Sequence, residues 1–245
     1  MAVVEYDGTA YHGWQLQKAI PTVQGSIESA LERILGTPTR VHGSGRTDAG
    51  VHALGQVAHF AASWSRPVEK LKKGCNALLP PDIIVRTLGP VSEDFHARHS
   101  AHSKTYLYKI LNLPLRSALN RLYSWHVPYE LDFAAMDRAS EYLIGSHDFA
   151  TFGSPTDGTP STVRRMMEAG WSRDEARGLI CFTIRGTGFL RYMVRSIVGT
   201  LVLVGTGRVS VPEFEAILGS CDRSRSGPTA PPHGLYLQSV TYERE

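Results

Sequence analysis

The sequence predicts an α+β protein with largely antiparallel sheet. Three observations carry that prediction. Apolar residues recur at spacing two and at spacings three and four, by turns, along both halves of the 245 residues. The strand-like runs sit as hairpin neighbours with helical runs inserted, rather than in strict strand–helix alternation. Asp94-Phe95-His96-Ala97 is echoed by His147-Asp148-Phe149-Ala150, which hints that the halves are related.

Element by element, Val3–Tyr6 reads as a strand closed by the turn dipeptide Asp7-Gly8. Thr22 is placed to cap a helix whose face carries Val23, Ile27, Ala30, Leu31, Ile34 and Leu35, stopped by Gly36. Strands around Arg40–Ser44 and Gln56–Ala61 follow, then a helix over Val68–Leu79 and strands over Ile83–Leu88 and Thr105–Leu111. The second half continues with a helix over Asp132–Leu143 and strands over Thr162–Trp171 and Leu179–Arg185. A long helix from about Phe189 to Val204, a short one over Val211–Leu218 and a last strand over Leu235–Tyr242 complete it. The division falls near residues 1–100 and 101–245, two halves forming one catalytic unit. Ser154–Ser161, with two prolines and a glycine, is the expected mobile loop.

Composition narrows the class. With 42% hydrophobic and 20% charged residues the chain is of ordinary globular make-up, which excludes disorder and fibrous repeats. The longest uncharged apolar stretch, between Arg195 and Arg208, is short of the roughly 18–20 residues a membrane span needs. Glu5 and Asp7 interrupt the start where a signal peptide has its apolar core. Cys75, Cys181 and Cys221 are odd in number and form no C-x-x-C pair, which speaks against a disulfide framework or thiolate zinc site. The expectation is a soluble, cytoplasmic protein.

Charge is uneven. Residues 1–122 hold 14 basic and 9 acidic side chains, against 12 and 14 in residues 123–245. Two stretches lack acids altogether: one between Asp94 and Glu130, with Arg98, Lys104, Lys109, Arg116 and Arg121 among histidines and tyrosines, and one between Glu175 and Glu213, with five arginines. Cations interleaved with rings suit a nucleic-acid groove, where phosphates are neutralised and unpaired bases stack; a solvated basic face is the plainer alternative. His96, His99 and His102 are spaced by threes, but in a loop and early strand that spacing does not converge on one metal ion. No phosphate loop or dinucleotide fingerprint occurs, so cofactor-independent chemistry is what remains.

The unusual segment is Gly45-Arg46-Thr47-Asp48-Ala49-Gly50-Val51-His52. It joins two strands and sets a carboxylate between glycines, with an arginine two positions away. Such an Asp is either an ionised nucleophile or a hydrogen-bonding partner for its own turn. No second acid stands nearby for a glycosidase-type pair.

The string GRTDAGVHALGQVAHF at 45–60 resembles the signature of the TruA family of tRNA pseudouridine synthases, and ordered matches run along nearly the whole chain. They include Glu5-Tyr6-Asp7-Gly8, Gly13-Trp14-Gln15, Asn76 through Pro80, Asp94 through Arg98, Tyr106, Phe189 through Arg195, and Gly234-Leu235-Tyr236. Two departures stand out. The chain opens close before its first strand, whose edge is therefore expected to be truncated or bare, and Gly188 replaces the usual serine or alanine before Phe189.

The resemblance implies two related α+β halves whose sheets meet at a central basic cleft. It implies isomerisation of uridine to pseudouridine in the anticodon arm of tRNA, at positions 38, 39 and 40, by a homodimer that needs neither cofactor nor metal. Asp48 matches the family nucleophile and Tyr106 the tyrosine that stacks on the target uracil. Arg195 matches the arginine paired with the carboxylate, and Arg46 the one that enters the RNA as the base is flipped. The competing expectation is an RNA-binding or RNA-folding module without turnover, against which the intact Asp48 argues.

Overall fold

A computed structural model of the chain describes residues 1–155 and 161–242. Two compact units are present: residues 1–102 with the chain from Tyr236 on, and residues 103–235. Residues 156–160 of the expected mobile loop lie outside the described residues.

In the first unit, β1 (Ala2–Tyr6) pairs antiparallel with both β3 (His52–His59) and β4 (Ile83–Leu88). The first strand is therefore central and its edges are covered, contrary to the bare edge expected. Backbone pairing on both sides overrides its position in the chain. The other edge of β3 takes β2 (His42–Gly43), antiparallel, and β10 (Leu235–Thr241), parallel. Alternation dictates the burial of β1: Ala2, Val4 and Tyr6 are inside, Val3 and Glu5 half-exposed.

Two helices supply the remaining core. In α1 (Val23–Leu35), Thr22 Oγ1 accepts from the Gly25 N–H, and Gly36 ends the helix with φ 73°. Its inward face is Val23, Ile27, Ala30 and Leu31, and α2 (Val68–Leu78) adds Leu71 and Cys75. Burial in this apolar setting pushes the Cys75 thiol up to about 11.

The second unit is a meander. β5 (Ser103–Leu111) pairs antiparallel with β9 (Leu179–Gly186), β9 with β8 (Val163–Asp174), and β8 with β7 (Gly145–Asp148). The short β6 (Trp125–His126) runs parallel to the end of β5. Three helices pack together: α3 (Phe133–Glu141), α4 (Met193–Gly205) and α5 (Val211–Gly219). α5 begins in a capping box, Ser210 with Glu213. α4 is apolar on nearly every side and buried along its length, so the uncharged run after Arg195 is a core helix. A side chain at Gly199 would collide with the Pro228 carbonyl. Among the described residues, no helix is long and apolar enough to cross a membrane.

The α+β class and the mostly antiparallel sheets agree with the sequence, but the long helix does not begin at Phe189. It starts at Met193, because Tyr192 adopts a left-handed backbone and Arg191 is drawn into a bridge with Ser154. Apolar spacing continues through Phe189 and Leu190, so periodicity hides the break. The strand expected over Arg40–Ser44 shortens to two residues, and the one expected from Gln56 begins at His52.

Candidate active site

The loop from Gly45 to Val51 leads into β3 and is gripped by the segment that follows β1. The Thr47 carbonyl accepts from the Trp14 N–H (3.2 Å), and the Gly50 N–H donates to the Tyr11 carbonyl (3.2 Å). Backbone meets backbone here: a Cβ at Gly13 would run into the Thr47 carbonyl, and one at Gly8 into that of Val51. Gly13 also has φ 86°, in the region that favours glycine. Within the loop, the Asp48 carbonyl accepts from the Val51 N–H (3.1 Å), a turn that Gly50 completes at φ 77°.

Buried side chains brace the same loop. Gln56, fully buried in β3, donates from Nε2 to the Gly45 carbonyl (2.9 Å) and accepts at Oε1 from the Ser44 hydroxyl (2.7 Å). The Tyr6 hydroxyl lies 2.8 Å from Thr47 Oγ1. Burial raises the Tyr6 hydroxyl above its ordinary pKa, so it keeps its proton at neutral pH. At the start of β3, His52 Nδ1 accepts from the Gly8 N–H (3.1 Å), and its ring stacks on Tyr236 at 4.8 Å. Paired polar groups in a low-dielectric interior hold one geometry. Thus Thr47 is buried while its neighbour Asp48 is half-buried. Arg46 is exposed, its Nε donating to Gln15 Oε1 (3.2 Å).

The second unit carries the other two predicted residues. Tyr106, on β5 opposite Ile184, is 7% exposed and meets Phe189 edge to face at 4.9 Å. Arg195, in the first turn of α4, donates from Nε to the Ala230 carbonyl (2.7 Å), and the Ala230 N–H returns a bond to the Arg195 carbonyl (3.0 Å). Its guanidinium lies 5.4 Å from the centre of the Tyr192 ring.

Asp48 and Arg46 thus share one loop of the first unit, and Tyr106 and Arg195 lie within the second. Sequence reasoning quoted Tyr6 and Gln56 within matching strings but gave them no role. The available signal was a polar Gln among the apolar residues between His52 and His59, where burial demands a partner. Within the acid-free stretches, Arg185 and Arg177 stand 3.6 and 3.7 Å from Glu168 and Asp174, while Arg116 and Arg121 are exposed.

The histidines near residue 96 do not form a column. His96 meets His99 at 4.3 Å and His59 at 4.7 Å, and His42 stacks on His59 at 5.1 Å. His59 Nδ1 accepts from the Ala97 N–H (3.1 Å), and His96 Nδ1 from the Arg98 N–H (3.1 Å).

The family described as tRNA pseudouridine synthase matches residues 2–100 and 139–243 of this chain. The chain belongs to the tRNA pseudouridine synthase family. It is 45% identical over 242 residues to tRNA pseudouridine synthase A of a Thermoanaerobacter species, covering 99% of this chain and 98% of that one. It is 44% identical to the protein of that name from Acetivibrio thermocellus (98% of each chain) and 42% identical to that from Streptococcus mutans (99% and 98%). Among solved structures, a Cbf5-Nop10-Gar1 complex covers 84% of this chain and 55% of its own, at 10% identity and a TM-score of 0.35. Asp48, Arg46 and Arg195 fall within the residues that match the tRNA pseudouridine synthase family; Tyr106 falls in the interval between the matched segments.

Proposed function

We propose that this chain isomerises uridine to pseudouridine in the anticodon stem-loop of tRNA, at positions 38, 39 and 40, with Asp48 as the nucleophile and without cofactor or metal. Near full-length similarity to proteins named tRNA pseudouridine synthase A supports the reading. The observation that carries it to a residue is the carboxylate at Asp48, in a loop braced by Gln56 and Tyr6.

The reaction breaks the bond from uracil N1 to ribose C1′, turns the base and rejoins it through C5. N1 gains a proton and C5 loses one, so atoms balance without an oxidant or a co-substrate. Asp48 acts on the sugar, either by adding to C1′ or by stabilising its charge and removing a ribose proton. The target base is stacked in its arm and must be flipped out to be reached. Arg46, exposed beside the carboxylate, enters the RNA in its place. The Tyr106 ring stacks on the flipped uracil and its phenol assists removal of the C5 proton. Arg195 is the cation assigned to serve the catalytic carboxylate. The working form is a cytoplasmic homodimer in which one tRNA touches both chains.

The test is incubation of the purified protein with unmodified tRNA, followed by carbodiimide treatment and primer extension. Stops at positions 38, 39 and 40 with the native protein, and none with Asp48→Asn, are expected. Absence of stops with the native protein overturns the activity; stops elsewhere overturn the assigned positions.

A further inference from the structure

Tyr192 stands immediately before α4 with φ 64° and ψ −1°, a left-handed backbone that residues with a Cβ rarely adopt. The residue is 37% exposed, so core burial does not explain the conformation. The ring's neighbours are more informative. The Arg191 guanidinium lies 4.7 Å from the ring centre, and its Nη2 donates to the Tyr192 hydroxyl (2.8 Å). The Arg195 guanidinium lies 5.4 Å from the same ring. One exposed aromatic thus receives two cations, whose mutual repulsion the electron-rich face of the ring offsets.

Both arginines are also tied to backbone. The Arg191 N–H donates to the Ser154 carbonyl (3.2 Å), and Arg195 Nε to the Ala230 carbonyl (2.7 Å). A guanidinium is planar and carries five N–H groups. The Nε bond sets one point of that plane, and contact with a ring restricts its rotation about that point. The terminal Nη groups are thereby given a direction. Had the helix begun at Phe189, as its apolar spacing suggests, Tyr192 would be an ordinary helical residue. The left-handed turn changes the angle at which its ring leaves the backbone.

We propose that Tyr192 is a positioning residue that directs the Arg195 guanidinium and so acts on turnover through it. The proposal rests on the reading that Arg195 serves the catalytic carboxylate. The phenol is not required, because the face of the ring does the work. The left-handed backbone is tolerated for where it places the ring.

The experiment compares single-turnover rates and KM on unmodified tRNA for Tyr192→Phe, Tyr192→Leu, Tyr192→Asn, Arg195→Ala and the Tyr192→Leu/Arg195→Ala pair, with a thermal melt of each. Phe is expected within about twofold of the native rate, and Leu to lose about tenfold in rate with KM nearly unchanged. Asn, which accepts a left-handed backbone, is expected to melt no lower than the native protein yet to lose rate as Leu does. In the double variant the Leu change adds nothing to the loss from Arg195→Ala. Native rates for Leu and Asn beside an impaired Arg195→Ala, or losses that multiply in the double variant, overturn the role of Tyr192. A native rate for Arg195→Ala overturns the reading of Arg195 on which it rests.

Discussion

The Tyr6 hydroxyl and Thr47 Oγ1 stand 2.8 Å apart in the interior of the first unit, joining the first strand to the residue just before Asp48. Tyr6→Phe removes that bond and leaves the buried Thr47 hydroxyl short of a partner. The expected cost is about 1–2 kcal/mol of stability, read as a lower urea midpoint with an unchanged m-value. Turnover is expected to fall while affinity for tRNA is retained, because the change loosens the carboxylate's loop without touching a phosphate contact. Native turnover in Tyr6→Phe would show that the loop holds without this tie.

Asp48→Asn is nearly isosteric and leaves the turn from Asp48 to Val51, which uses the backbone carbonyl. Tritium release from RNA labelled at uracil C5 is expected to vanish, with tRNA binding kept within about tenfold, roughly 1.4 kcal/mol. Measurable release by this variant would remove Asp48 from the mechanism.

Tyr106→Phe keeps the ring that meets Phe189 edge to face. Binding is expected to persist and the C5 proton to leave more slowly. Equal rates for the two residues would confine Tyr106 to stacking.

Arg116 is exposed in a stretch free of acids. If it contacts phosphate, Arg116→Glu lowers affinity for tRNA and flattens the dependence of log K on log salt by about one unit. An unaltered slope assigns this residue to a solvated face.

The histidine cluster makes the first unit sensitive to acid. Burial first, then the neighbouring imidazoles, lower the pKa values of His59 and His96 below their ordinary 6.5; the N-terminal amine adds to this at His59 and Arg98 at His96. A folded-state value below the unfolded one means that the unfolded chain binds more protons, so stability rises with pH. It is fully present above pH 6.5 and declines as pH falls below that value toward the lowered ones. Protonation of His59 also removes the acceptor for the Ala97 N–H. Thermal melts between pH 7.5 and 5 are expected to fall for the native protein and to fall less for His59→Gln. Parallel profiles would show that other groups set the acid limb.

Much of the fold was legible in local signals. Thr22 and Gly36 mark the ends of α1 as their chemistry requires, and the alternation in β1 and β9 reads directly as burial. The loop around Asp48 was legible as unusual because its glycines and charged residues have no packing explanation. The braces were not: Gln56 and Tyr6 find their partners through tertiary contacts that no spacing encodes. Nor was the start of α4, since the left-handed backbone at Tyr192 is a cost that contacts elsewhere offset. The two-residue β6 and the four-residue β7 are too short for periodicity to register.

The pairing of β10 with β3 has a consequence for how the chain matures. Tyr236 faces His52 across that ladder, so the sheet beside the Asp48 loop receives its final strand only after the whole of the second unit has emerged from the ribosome. The second unit is one uninterrupted stretch of chain, from Ser103 to Leu235, and most of its pairings are between near neighbours in sequence. Local contacts form fast and distant ones slowly. Synthesis therefore lets residues 1–102 form the braces of the Asp48 loop before the second unit exists, and the stacking of Tyr236 on His52 is added last.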